Sequence, residues 1–125
     1  MAWVLLSMMV VMAAALLLPA FVTFDRLVKR EHDLFADAWE ADGRPHGIFW
    51  RPEILFRPSL RLFRSGLATN RCMLVWPLRT PRWAGSDDEA MRLLRCLRRL
   101  LITWNLGVFV LAVVAVAVAY AGATK

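Results

Sequence analysis

Two long apolar runs frame the chain, and a charged middle joins them. Met1 to Phe24 carries no charged side chain, and neither does Leu100 to Thr124. Each run exceeds the roughly 18 residues that mark a membrane-crossing helix, because about 20 residues at 1.5 Å rise span a ~30 Å hydrocarbon core. The pattern predicts transmembrane helices over 1–24 and 100–122, with a basic segment over 25–99 between them. Pro19 falls near the inner end of the first helix, where a kink is tolerable.

Beyond Phe24 the helical spacing continues through Leu27, Val28, Leu34, Phe35, Ala38 and Trp39. This predicts a helical extension over 25–42, supported by Asp25–Lys29 and Lys29–Asp33 as i,i+4 ion pairs and stopped by Gly43 and Pro45. From 46 to 85 the pattern changes. Prolines 52, 58, 77 and 81 interrupt it, and arginines alternate with large apolar residues. Trp50, Arg51, Phe56, Arg57, Arg61, Phe63 and Arg64 are the candidate contact residues there. Such a stretch has two homes. It can lie in the headgroup layer, aromatics buried and arginines toward anionic lipid, or pack on the helical extensions as a small core.

Ser86-Asp87-Asp88-Glu89 has the form of a capping box, with Ser86 and Glu89 exchanging bonds at the start of a helix from 87. A helix from there to about Ala121 is ~50 Å long, so its first turns must project beyond the bilayer. On those turns Arg92, Arg95 and Arg99 fall on one side. Met91, Leu94, Leu97 and Leu101 fall on another. The fold expected is therefore all-α, with two transmembrane helices, helical extensions and an irregular basic centre.

Composition agrees: 59% of residues are hydrophobic and mean hydropathy is +0.50, too apolar for an ordinary soluble domain. Net charge is +6, and 15 of the 16 basic residues lie in 25–99. The cations flank both apolar runs, Arg26, Lys29 and Arg30 after the first and Arg92, Arg95, Arg98 and Arg99 before the second. The positive-inside rule then puts the centre in the cytoplasm and both termini outside. Trp3 and Tyr120 fit the outer interface, Phe24 and Trp104 the inner one. No basic residue precedes Arg26 and no clear A-x-A cleavage site precedes Phe24, so an uncleaved anchor is expected rather than a signal peptide.

Catalytic signatures are lacking: no GxGxxG, P-loop, HExxH or paired CxxC occurs. Glu31-His32-Asp33 reads as a solvated charged turn, since neighbouring helical residues point apart. Cys72 and Cys96 lack metal-ligand spacing and read as structural. No ionisable group lies at membrane depth, which argues against transport. Asn105 is the polar candidate for a helix–helix contact, and Gly107 permits close packing. No cofactor, nucleic acid or small-molecule substrate is expected. The partners expected are anionic lipid headgroups and other integral membrane proteins, or a second copy.

Asp87-Asp88-Glu89, then Arg92, Arg95-Cys96 and Arg98-Arg99 leading into the last apolar run, resembles the universal stress protein B family of bacterial inner-membrane proteins. Arg26-Leu27 through Gly47-Ile48-Phe49 is a looser match. Arg51–Arg82 departs from the family in being richer in proline and arginine. The resemblance implies an inner-membrane protein tied to stationary-phase or solvent stress, without enzymatic activity and without the nucleotide-binding fold of the soluble universal stress proteins. The alternative is an accessory subunit of a larger respiratory, photosynthetic or transport complex in the membrane.

Overall fold

The computed structural model describes residues 1–53 and 60–123, with side chains after that gap from Leu62 onward. Every regular element among them is helical: α1 (Ala2–Leu34), α2 (Ala36–Ala41), α3 (Leu60–Val75), a 3₁₀ turn (Arg82–Ser86) and α4 (Asp88–Ala123). The all-α, two-helix frame stands as the hydropathy pattern requires. Within the segment expected to be irregular, α3 is an added helix.

α1 and α4 pack as an antiparallel hairpin. Met12 meets Gly107 near one end, and Arg30 meets Asp87 at the other. By rise per residue each helix is about 50 Å long, well beyond the bilayer core. Both carry an apolar stretch of mean hydropathy 2.5. Gly107 allows the close approach, since a Cβ there would strike the Met12 thioether. Without a hydrophobic drive between helices in lipid, such contacts rest on packing. Gly107→Ile is therefore expected to cost about 1–3 kcal/mol by overpacking. Gly107→Ala should be nearly neutral, since Met12 can swing aside. Unfolding midpoints of the two variants in lipid nanodiscs check this.

The packed core lies mostly beyond the uncharged runs, with only Ala20 and Phe24 drawn from the inner end of the first. Phe24, Leu27 and Val28 of α1 face Ala90, Leu93, Leu94 and Leu97 of α4. Cys72 and Trp76 close one side, and Trp83 and Ala84 another. Rings link these parts: Phe24 to Trp76 at 5.6 Å, Trp76 to Trp83 at 5.6 Å, and Trp83 to Phe35 at 5.2 Å. Leu94 and Leu97 are buried and Arg92, Arg95 and Arg99 exposed, as the face pattern of this helix requires.

The first helical extension is not continuous. Phe35 leaves helical geometry (φ −132°, ψ 55°), turning its ring onto Trp83 and separating α1 from α2. Leu34, read as part of the apolar face, is consequently exposed. After α2, Gly43 (φ +89°) and Arg44 (φ +58°) reverse the chain in left-handed geometry. Gly43 suits this twice over: its φ is easy for glycine, and a Cβ would press on that of Ala68 at 3.1 Å. Arg44 is held there by an ion pair to Glu40 (3.0 Å) and by Ser65 Oγ donating to its carbonyl (2.6 Å).

Candidate functional site

Three polar contacts and one buried carboxyl gather around the border between apolar run and charged headpiece. The first is Asp25, the first charged residue after α1's apolar run. Its carboxylate accepts the backbone N–H groups of Ile48 (2.5 Å), Phe49 (2.8 Å) and Trp50 (2.9 Å), and the residue is buried. Gly47 sits so close that a Cβ would overlap the carboxylate. The i,i+4 pairs expected from Asp25 to Lys29 and from Lys29 to Asp33 do not form. Asp25 turns inward to the loop, and Asp33 pairs instead with His32 (2.8 Å).

The second contact joins Arg30 of α1 to Asp87 at the head of α4. It is bidentate, through Nε to Oδ2 and through Nη2 to Oδ1 (2.9 Å). The Arg30 guanidinium holds the Asp87 carboxyl below its usual range. Asp87 Oδ1 also accepts the Glu89 N–H (3.1 Å), so Asp87 caps α4. The capping box centred on Ser86 is corrected by this. Ser86 ends the 3₁₀ turn and donates to the Trp83 carbonyl (3.0 Å), leaving the cap to its neighbour.

The third is Arg98, which sequence reasoning counted only as a flanking cation. Its guanidinium donates to the Pro77 carbonyl (2.9 Å) and to Thr80 Oγ1 (2.7 Å), clamping the chain just after α3.

The fourth overturns an expectation. Glu31, read as part of a solvated turn, is fully buried, and neither of its carboxyl oxygens has a hydrogen-bond partner. Burial, reinforced by the nearby Asp42 carboxyl, pushes its pKa up to about 9, so it keeps its proton at neutral pH. The fold of α2 back over α1 encloses it, which triplet spacing could not reveal. His32 beside it lies between Trp39 (4.7 Å) and Trp50 (5.3 Å).

The expected contact residues divide accordingly. Trp50 is half-buried on His32, and Arg51 is exposed. Phe63 and Arg64 are exposed on α3. Arg95 and Arg99 are exposed on α4, where Arg92 pairs with Glu89 at 2.7 Å. Asn105 is exposed and donates to its own helix, at the Leu101 carbonyl (2.7 Å). Phe56, Arg57 and the Arg61 side chain lie outside the described residues. Among the described residues no ion pair joins Arg64 to α4.

Of the cysteines, Cys72 is buried, which pushes its thiol up to about 12, and Cys96 is exposed. Among the described residues no group of three or more His, Cys, Asp or Glu is placed to hold a metal ion. The fold and this border define a helical hairpin with two helices long and apolar enough to cross a membrane and a packed, basic headpiece. No family model, curated protein or solved structure matches the chain.

Proposed function

We propose that this is a non-enzymatic integral protein of the bacterial inner membrane. In this reading α1 and α4 cross the bilayer, the headpiece lies in the cytoplasm, and the protein acts through lipid and protein contacts. One observation carries the reading. In the most apolar window of α1 only 6% of residues are buried, and in that of α4 none are, whereas the headpiece covers its apolar side chains closely. A chain that builds a dry core in one half leaves the other bare only if a different solvent covers it. The polar contacts at the border are structural latches with no substrate to act on. The stress association comes from the resemblance at Asp87–Arg99.

Cys96 gives a native test. It is exposed on the charged part of α4, and Cys72 is buried. A membrane-impermeant maleimide is expected to label Cys96 in inverted inner-membrane vesicles and not in intact cells with a permeabilised outer membrane. The chain should also resist alkaline carbonate extraction. Labelling from the outer face, or release by carbonate, overturns the reading.

The accessory-subunit reading has one observation of its own. Phe109, Ala112, Val113, Val116 and Tyr120 form an open apolar groove along α4, of a shape that takes a neighbouring helix. Purification in mild detergent decides it: a stoichiometric complex supports that role, and a monomer or small homo-oligomer rejects it.

A further inference from the structure

α3 has two apolar faces, and the core uses one of them. Ser65, Ala68, Thr69 and Cys72, with Trp76 just beyond the helix, turn inward and are buried. On the opposite side Phe63 (67% exposed), Leu67 (55%) and Leu74 (71%) fall within about 40° of one another around the helix axis. Leu78 (87% exposed) extends the stripe in the turn that follows, where the Leu78 and Arg79 N–H groups still bond to the Val75 carbonyl. Arg64 and Arg71 border the stripe on one side, both exposed, and Arg71 also donates through Nη2 to the Asp42 carbonyl (2.9 Å).

The depth of this stripe is fixed by three contacts. Trp76 stacks on Phe24, the last residue of the first uncharged run. Arg98, two residues before the second uncharged run, holds Pro77 and Thr80. Thr69 Oγ1 accepts the His46 N–H (2.9 Å), and His46 precedes the Gly47 that abuts Asp25. Thr69 and Trp76 are seven residues, or about 10 Å, apart along α3. Trp76 meets α1 itself at Phe24, while Thr69 reaches only the His46–Gly47 turn beside Asp25. The C-terminal end of α3 therefore lies at the border, and the Leu74–Leu78 end of the stripe sits at headgroup depth.

We propose that this stripe is a docking surface for the anionic phospholipid headgroup layer of the bilayer that α1 and α4 cross. The inference rests on the membrane reading above. Leucine and phenylalanine side chains enter the acyl boundary, and the flanking arginines meet lipid phosphates, the arrangement of an in-plane amphipathic helix. Tethering by both ends removes most of the entropy cost of docking, so a short stripe suffices. The headpiece is then seated on the membrane in one orientation.

The test uses the full chain carrying Cys96→Ser, with a bimane label on Leu67→Cys, on Leu74→Cys, or on the reference Val113→Cys within the α4 span. All three positions are exposed, so the fold tolerates them. Each is reconstituted in phosphatidylcholine nanodiscs with or without phosphatidylglycerol and with shallow nitroxide lipids. The expected result is loss of most emission at 67 and 74 to the nitroxide lipid and protection from aqueous iodide. Phosphatidylglycerol should strengthen both effects, and Arg64→Gln with Arg71→Gln should weaken that gain. Iodide quenching at 67 and 74, with Val113 still lipid-quenched, overturns the docking surface alone. A Val113 label untouched by nitroxide lipid overturns the membrane reading and the inference together. Self-quenching between labelled copies at 67 and 74, without lipid quenching, assigns the stripe to a second copy and also overturns the proposal.

Discussion

Asp25→Ala is expected to destabilise the headpiece by about 3–5 kcal/mol. Three backbone N–H groups converge on this carboxylate, and the residue is buried. Removing the acceptor strands donors where water cannot fully replace it, at ~1–3 kcal/mol for each group left unpaired. The loop 47–50 then loses the anchor that places Trp50 on His32. Asp25→Asn, which keeps one carbonyl acceptor and no charge, should fall between alanine and wild type. Gly47→Ala should approach Asp25→Ala from the other side, because the new methyl needs the space of a carboxylate that three bonds hold in place. Amide hydrogen exchange at 48–50, read together with the thermal midpoint in nanodiscs, checks the argument. Unchanged protection of those three amides in Asp25→Ala would remove the latch.

The second large effect is a pH dependence that Glu31→Gln abolishes. The Glu31 carboxyl has a folded-state pKa of about 9, against 4.5 for the free group. Between those values the folded protein holds a proton that the unfolded chain has released, so stability falls as pH rises through that window. Below about 4.5 both states are protonated, and above about 9 both are ionised, so the dependence flattens at each end. At its steepest the loss is about 1.4 kcal/mol per pH unit, several kcal/mol over the window. Glutamine keeps the shape without the ionisation. Glu31→Gln should be no more stable than wild type at pH 5 and clearly more stable at pH 8.5. Emission from Trp76 and Trp83, which meet edge to face in the core, reports the unfolding. Parallel midpoint-against-pH curves for the two proteins would mean that Glu31 is not the group responsible.

These two carboxylates mark where sequence reasoning stops. Both sit on α1, Asp25 at the start of its charged part and Glu31 three residues before its end at Leu34, and nothing in their spacing separates them from Asp33, which stays at the surface. Asp25 looked like half of a helical ion pair with Lys29, because (i, i+4) geometry is all that sequence supplies. Its actual partners are more than twenty residues away and are backbone groups, which carry no sequence signature. Glu31 looked solvated because its neighbours are His32 and Asp33. What buries it is the reversal at Phe35 and Gly43, a tertiary event. Arg98 is the same case: one cation among four by sequence, and a clamp only because the chain leaving α3 passes within reach.

What the sequence determined by itself was the frame. Two uncharged runs longer than a bilayer is thick, a helix beginning at Asp87–Asp88, and an arginine face opposite Leu94 and Leu97 all follow from local periodicity. Helices are local objects whose hydrogen bonds close within four residues. The tertiary structure decided which side of α3 is core and which is bare, which aspartate caps α4, and which carboxylates leave water. Those outcomes depend on contacts between segments distant along the chain, where burial and the direction of a turn set the energies.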